Sequence, residues 1–214
     1  MKKNMQAALC TFIVTAVMSV APVFECKAET LQTVVLSDPK VQFAKHQDSL
    51  FFALENRHTE RTFSEQALDM GELSALLWAA CGVNRDNGKL TIPTSRNTQD
   101  MLIYILKNDG VWLYDASTHA IEQKSSVDIR PDLTTKIARS APVTFLYVND
   151  VDKASNARSG DRHSGSMYQN VGLYCAIAGL HNVVTGTFPK DLETTLNMPK
   201  NHKIMIAQSV GAKP

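Results

Sequence analysis

The segment 57–63, Arg-His-Thr-Glu-Arg-Thr-Phe, concentrates side chains that could bind an anion. Arg57 and Arg61 stand four residues apart, with His58 and Thr59 between them. A phosphate monoester carries about −1.5 to −2 of charge at neutral pH and three acceptor oxygens, which guanidinium and hydroxyl donors satisfy. By itself such a cluster is more typical of a solvated surface beside a helix, so its interpretation as an anion site depends on the motifs that accompany it.

Other kinds of reactive centre are not indicated by the spacing of their residues. The run His-Ser-Gly-Ser at 163–166 lacks the Gly-x-Ser-x-Gly spacing of a hydrolase elbow, and no phosphate-binding glycine motif occurs. The six histidines are scattered and no Cys-x-x-Cys exists, which argues against a metal site. Cys81 and Cys175 lie in apolar helical patterns and are predicted to be buried free thiols, with a disulfide as the alternative.

The first 28 residues have the pattern of a secretory signal peptide. Two lysines precede an apolar run over 7–24, and small residues at Cys26 and Ala28 suit cleavage after Ala28. A lipoprotein cysteine at position 26 is disfavoured because Glu25 precedes it, and an uncleaved anchor is the remaining alternative. We therefore expect an exported protein, periplasmic or secreted.

Cleavage would leave residues 29–214, a length that suits one domain with a substantial core. Loss of three lysines and one glutamate from 22 basic and 21 acidic residues leaves 19 basic and 20 acidic ones. This balance disfavours nucleic acid and anionic membranes as partners.

Helices and strands that would position these side chains alternate without a regular βαβ rhythm, which favours the α+β class. The capping-box pattern Asp69-x-x-Glu72 predicts a helix that ends at Gly82, and Asn-Asp-Gly at 108–110 predicts a hairpin turn. We predict an extended arm over 29–48 and a polar loop over 149–162. Further helices are predicted over 49–55, 131–138, 166–179 and 191–198, and strands over 101–106, 111–114, 143–148, 182–187 and 203–210.

Five further motifs follow the segment 57–63 in order. They are Leu-Leu-Trp-Ala-Ala-Cys-Gly-Val-Asn-Arg (76–85), Pro-Thr-Ser-Arg-Asn-Thr-Gln (93–99), Gly-Ser-Met-Tyr-Gln-Asn-Val-Gly-Leu (165–173), Gly-Leu-x-x-Val-Val-Thr-Gly (179–186) and Ala-Gln-Ser-Val-Gly (207–211). The ordered set resembles the nitroreductase family of flavoproteins over residues 32–214, with most likeness to its azoline (thiazoline/oxazoline) dehydrogenase branch. The resemblance implies an α+β fold with a mixed or antiparallel sheet flanked by helices, and bound FMN.

The resemblance also implies roles for individual residues of the segment 57–63. Arg57, His58, Thr59 and Arg61 match the flavin-contacting segment of the family. Arg57 and Thr59 would hold the phosphate or ribityl chain, and Arg61 would lie at the pyrimidine side, where a cation stabilises the reduced anionic flavin.

Later motifs supply the remaining cofactor-binding residues that the resemblance implies. Asn97, with Ser95 in the same loop, would reach the flavin of a partner subunit; as an isolated feature Asn97 indicates only a turn former before a strand. Thr185 and Gly186 would bring a backbone N–H to flavin N5, or would form an ordinary strand-end turn. Lys213 matches a phosphate-binding position although the chain ends one residue later. His163 and Asp161, in a flexible segment expected before the helix over 166–179, could line the substrate side.

The sequence thus predicts an exported, homodimeric, FMN-dependent oxidoreductase that transfers hydride through flavin N5 in a ping-pong cycle. The substrate is not assigned, and no protein side chain or metal is required as a catalytic group. Export makes NAD(P)H a doubtful donor, because reduced nicotinamides are cytoplasmic. The alternative is a non-catalytic flavin- or ligand-binding module of the cell envelope.

Overall fold

A computed structural model describes residues 31–43 and 50–214, so the predicted signal peptide lies outside the described residues. Seven strands form one sheet: β1 (Thr33–Val35), β2 (Met101–Lys107), β3 (Gly110–Asp115), β4 (Ala120–Ser125), β5 (Val143–Asp150), β6 (Leu180–Thr185) and β7 (His202–Ala212). The helices are α1 (Pro39–Phe43), α2 (Leu50–Asn56), α3 (Met70–Cys81), α4 (Lys136–Ser140), α5 (Ser159–Ala178) and α6 (Leu192–Thr195), with 3₁₀ turns at Ser95–Asn97 and Arg130–Asp132.

The sheet has the order β1-β4-β3-β2-β5-β7-β6, and every neighbouring pair is antiparallel. This confirms the predicted α+β class and selects the antiparallel form of the sheet. No helix among the described residues is long and apolar enough to cross a membrane.

Side chains that alternate along the central strands build a core on each face of the sheet. Ile103 of β2 and Phe145 of β5 pack with α3 and α5, whereas Leu106 and Leu146 pack on the opposite face near α4 and α6. β5 is buried along its whole length, as expected for a strand covered on both faces. The central strands therefore form a rigid support for loops at their ends.

Helix α3 begins and ends where the sequence predicts. Asp69 accepts a hydrogen bond from the backbone N–H of Glu72 (2.7 Å), which confirms the N-cap. Gly82 ends the helix, but its φ of −69° is open to any residue. A glycine is needed there because a Cβ would lie 2.3 Å from Cδ1 of Trp78.

Helix α5 is longer than predicted, and the predicted loop over 149–162 is wrong at both ends. Asn149 and Asp150 belong to β5, and the helix begins at Ser159 rather than at 166. Its first turns bury Ser159, His163 and Ser164 through polar contacts, which leave no apolar periodicity in the sequence.

Three smaller predictions also need correction. The arm over 29–48 is packed where described: β1 pairs with β4, and the Phe43 ring lies 4.9 Å from that of Tyr174. Strand β4 was not predicted. The helix predicted over 131–138 is divided, because Thr135 is extended and caps α4 through its hydroxyl.

Cys81 and Cys175 are free and buried, which confirms the favoured prediction over the disulfide. Burial raises the pKa of the Cys81 thiol to about 12 and also raises that of Cys175. Neither thiol is therefore a reactive thiolate at neutral pH.

Candidate functional site

The segment that follows α2 runs along the sheet edge formed by β6 and the end of β7. The backbone N–H of Glu60 donates to the carbonyl of Asn182 (2.9 Å), and that of Ser64 donates to the carbonyl of Ala212 (2.9 Å). Nδ1 of His181 lies 2.7 Å from the carbonyl oxygen of Thr62. These bonds hold the predicted anion-binding segment in a defined place against the sheet.

A cavity of about 200 Å³ lies beside this segment. It brings Arg61 and Thr185 together, two residues that are more than 120 positions apart in the chain. The other lining residues are Thr135, Ile137, Ala138, Val183, Val184 and Ser209. The Arg61 guanidinium has no hydrogen-bond or ion-pair partner among the described residues, so its donors are available to a bound molecule.

Arg57 lies on the other side of the segment, against helix α5. A Cβ on Gly172 would lie 3.5 Å from Cγ and Cδ of Arg57, so the glycine leaves the arginine stem room to pack on the helix. Arg57 is exposed, and its guanidinium also has no partner within the described part of the chain. The segment thus offers two unpaired cations, one at the cavity and one beside α5.

A buried chain of hydrogen bonds supports the strand edge on which the segment rests. The Tyr147 hydroxyl donates to Oε1 of Gln208 (2.6 Å), and Nε2 of Gln208 donates to Oδ1 of Asn182 (2.9 Å). Burial raises the pKa of Tyr147 well above its ordinary value, so the hydroxyl keeps the proton that it donates. These hydrogen bonds fix Asn182, whose backbone carbonyl accepts the N–H of Glu60.

The other predicted residues of the segment are placed differently. His58 is bound within the segment, with Nδ1 2.6 Å from the carbonyl of Asn56 and Nε2 3.0 Å from Oε1 of Glu60. Its side chain is 67% exposed and does not line the cavity. Thr59 is exposed, with no hydroxyl partner among the described residues. Thr59 therefore stays available to a ligand, whereas His58 is already occupied.

Lys213 does not line the cavity within this chain. The register of β6 and β7 pairs Thr185 with Ala207 and Leu180 with Ala212, so Lys213 follows at the opposite end of β6. Five strand residues span about 17 Å. Lys213 therefore does not join Arg61 and Thr185, although it follows Ala212, which binds Ser64.

Gly186 stands at the end of β6, next to Thr185. Its φ is not positive, and a Cβ built on it would meet no atom within 4 Å. The described fold itself therefore does not require a glycine here, in contrast to Gly82. Open space in front of an unshielded backbone is what a flat ring needs for close approach.

Ser95 and Asn97 lie in the loop 94–99, which has an unusual backbone. Arg96, Asn97 and Gln99 have φ values of 57°, 57° and 47°, in the left-handed region. That region costs about 1–2 kcal/mol for a residue with a Cβ, less for asparagine. Such a conformation persists only where surrounding contacts determine it, and it is common at functional sites.

One of these contacts is a buried chain of three side chains. Nε2 of His163 accepts the backbone N–H of Ser95 (2.9 Å) and lies 3.2 Å from its hydroxyl, while Nδ1 lies 2.6 Å from Oδ1 of Asp100. The prediction that His163 lies in a flexible loop is wrong, since it is buried in the second turn of α5. Asp161 is exposed in the same helix and takes no part in this chain.

The predicted residues therefore form two groups along α5. Ser95 contacts the helix at His163, and Arg57 contacts it at Gly172, nine residues later. Nine helical residues span about 14 Å. One chain does not bring the Ser95–Asn97 loop to the cavity of Arg61 and Thr185.

Several residues of these groups were not singled out from the sequence. Asn182 and Gln208 fall inside motifs of the resemblance but carry no sign of their buried bonds. Asp100 stands at the start of β2, where a wholly buried carboxylate is unexpected unless it is paired. An aspartate directly before the predicted strand over 101–106 was the signal in the sequence for a buried, paired carboxylate.

A second cavity in the described residues does not contain the predicted side chains. A cavity of about 900 Å³ lies between α3, the start of β2 and the β3–β4 turn, with Trp78, Tyr114 and His119 among its lining residues. No group of three or more metal-ligating side chains is found in the described part of the chain.

Comparison with known proteins identifies this architecture. The sequence profile of the nitroreductase family matches residues 54–212. A crystal structure of a nitroreductase from Ralstonia eutropha superposes with a TM-score of 0.77 at 26% identity, covering 85% of this chain and 90% of that one.

Two other structures share the fold at lower identity. A nitroreductase from Desulfovibrio desulfuricans, solved in complex with FMN, has a TM-score of 0.59 at 18% identity, covering 77% of this chain and 86% of that one. The E. coli microcin synthetase McbBCD, solved with truncated pro-MccB17 bound, has a TM-score of 0.61 at 18% identity, covering 95% of this chain and 85% of that one. The latter fits the predicted likeness to the azoline branch at the level of fold.

Proposed function

The chain belongs to the nitroreductase family, and from this premise we propose that it is an FMN-dependent oxidoreductase. Family membership supports oxidoreductase activity. A neighbour of the same fold was solved in complex with FMN, which supports that cofactor here.

The observation that carries the proposal is the cavity shared by Arg61 and Thr185. It joins a free guanidinium to a strand end where Gly186 leaves open space. Both features fit a flat, electron-accepting ring: the space admits it, and the cation stabilises negative charge that develops on it. Arg57 and Thr59, exposed and unpaired in the described chain, suit the phosphate and ribityl chain.

When bound, FMN supplies the redox chemistry, hydride transfer through N5 in a ping-pong cycle between a donor and an acceptor. The protein residues bind and orient it. Arg61 would place positive charge near the ring and stabilise its reduced, anionic form, Thr185 and Gly186 would offer backbone to it, and the apolar side chains of Val183 and Ile137 would exclude water. No protein nucleophile is needed for this chemistry.

We also propose that the site is shared between two copies of the chain. The cavity of about 200 Å³ is smaller than the roughly 300–1,000 Å³ of a complete small-molecule site. The loop with Ser95 and Asn97 is remote from Arg61 within one chain, and a two-fold dimer would supply it from the neighbour. The second copy would thus provide the missing wall.

Export of the protein, expected from residues 1–28, bears on the electron donor. Outside the cytoplasm the donor would be a quinol or another protein, or a substrate would itself be oxidised with oxygen as acceptor. The resemblance of the sequence to azoline dehydrogenases supports substrate oxidation as one route.

The test is an anaerobic reduction of the purified full-chain product loaded with FMN. Its visible spectrum is recorded after NADH, after dithionite, and after addition of a quinone or nitroaromatic acceptor. We expect bound flavin that bleaches on reduction and recovers rapidly with an acceptor. Bleaching by NADH would identify the ordinary donor, and bleaching by dithionite alone would indicate another one.

Two results would contradict the proposal. Bound flavin that is not reoxidised by any acceptor would favour a binding module of the envelope. A protein that leaves FMN unbound at millimolar concentration would remove the cofactor assignment altogether.

A further inference from the structure

Asp100 is the centre of a fully paired polar cluster beneath the loop 94–99. Its Oδ1 accepts from the Thr98 hydroxyl (3.1 Å) and faces Nδ1 of His163 (2.6 Å), and its Oδ2 accepts from Nδ2 of Asn149 (2.9 Å). Asp100 is completely buried, and the His163 side chain is 5% exposed. The cluster therefore joins β2, β5 and α5 to the loop.

The hydrogen bonds determine which nitrogen of His163 carries the proton. The backbone nitrogen of Ser95 can only donate, so Nε2 of His163 accepts and carries no proton. The proton is then on Nδ1, which donates to Asp100. Asp100 thereby fixes the tautomer that can hold Ser95.

We propose that His163 and Asp100 are positioning residues that lock the loop 94–99 in the left-handed conformation needed to present Ser95 and Asn97 to the flavin of a neighbouring chain. This inference rests on the proposed function for the flavin, and the locking of the loop is a separate claim. Three residues with positive φ must be held against their intrinsic preference, and the bond to Ser95 lies directly before the first of them.

Ser95, His163 and Asp100 are also the three residue types of a serine hydrolase. The geometry opposes a nucleophilic serine, because Nε2 lies nearer the backbone nitrogen of Ser95 (2.9 Å) than its hydroxyl (3.2 Å). A lone pair that accepts the amide N–H is not free to remove the hydroxyl proton. The histidine holds the backbone of the loop instead.

The test uses trypsin cleavage after Arg96, which is exposed within the loop. Cleavage is followed by mass spectrometry on the FMN-free protein under native conditions. We expect His163→Ala to accelerate this cut about tenfold, equal to about 1.4 kcal/mol in the opening equilibrium. His163→Gln, whose Oε1 can still accept the Ser95 N–H, should recover much of the protection.

A second variant keeps the volume of the cluster filled. Asp100→Asn leaves an NH₂ group facing either Asn149 or the Thr98–His163 side, so at least one of the three bonds is lost whichever way it turns. We expect faster cleavage at Arg96 here as well. Asn170→Ala serves as the control, because it removes another side-chain bond of α5, to the carbonyl of Ala79, away from the loop.

Equilibrium binding of FMN to the same variants tests the link to the cofactor. We expect the dissociation constant to rise with loop opening in the His163 and Asp100 variants and to stay unchanged in Asn170→Ala. If the variants lower the unfolding free energy as the control does, while cleavage and FMN affinity stay at wild-type values, the pair is only structural and the inference fails. Labelling of Ser95 by a fluorophosphonate would also overturn it, in favour of a nucleophile.

If the wild-type protein binds no FMN, the proposed function fails, but the cleavage rates still decide whether the pair locks the loop.

Discussion

Arg61 and Arg130 show how one residue type acquires different roles from its surroundings. Arg130 donates to both oxygens of Asp128 and to the carbonyls of Ala141 and Pro142, and this bonding lowers the pKa of Asp128. Arg61 has no such partner among the described residues and lines a cavity. The first arginine is structural, whereas the second keeps its donors for a ligand.

One substitution at Gly186 distinguishes an effect on ligand binding from an effect on the stability of the fold. We expect the FMN-free Gly186→Ala protein to be as stable as wild type, or more stable by about 0.4–1 kcal/mol. The φ of Gly186 is not positive, and the added Cβ meets no atom. FMN binding should weaken, because the methyl group occupies the space of the ring. Urea unfolding and FMN titration measure the two effects.

Gly165→Ala is the matched control, since its Cβ would make only ordinary contacts with Tyr168, at 3.6 Å or more. It should change stability in the same direction and leave FMN affinity unchanged. Equal FMN affinity in Gly186→Ala and wild type would place the ring elsewhere.

Among the helices and strands, the sequence predicts correctly those whose ends are determined by neighbouring residues, such as a cap or a turn. Helix α3 has its cap at Asp69, and the β2–β3 hairpin has Asn-Asp-Gly, with a φ of 125° at Gly110 that demands glycine. Helix α5 was predicted seven residues too short because its first turns are fixed by distant partners, as His163 is by Asp100. The cavity likewise depends on pairing of β6 with β7, which no local pattern specifies.

The carboxylate of Glu193 in α6 binds β7, and this part of the attachment depends on pH. Partial burial alone would raise the pKa of Glu193, but bonds from Lys203 Nζ (2.9 Å) and the backbone N–H of Ile204 (2.9 Å) lower it below its ordinary value of 4.5. A lowered pKa means that the stabilisation is present above the unfolded value and is lost as pH falls through the folded one.

We therefore expect Glu193→Gln to lose less unfolding free energy than wild type on acidification from about pH 7 to about pH 3.5. Urea unfolding at both pH values measures the difference. Glu122→Gln, at an exposed pair with Lys124, is the control and should follow wild type. If Glu193→Gln and wild type lose the same unfolding free energy on acidification, the carboxylate does not hold α6.

At the scale of the whole molecule, the proposed shared site would bring the two groups of predicted residues together through a second chain. Arg57 and Ser95 contact α5 at points about 14 Å apart along its axis. A two-fold dimer would bring the Asn97 loop of each chain to the Arg61 cavity of the other, giving two equivalent sites. The central claim is therefore that FMN binds between chains, with each contributing a different group.

The most direct measurement is the FMN content of a mixed dimer. One chain carries Arg57→Ala and Arg61→Ala, the other carries Asn97→Ala, and differently tagged chains are co-purified. A shared site predicts little flavin in either parent homodimer and about one FMN per mixed dimer, against about two in wild type. In the mixed dimer one of the two sites combines the intact arginines of one chain with the intact Asn97 of the other. Mixed dimers without flavin, or a monomer that binds FMN as wild type does, would contradict the account.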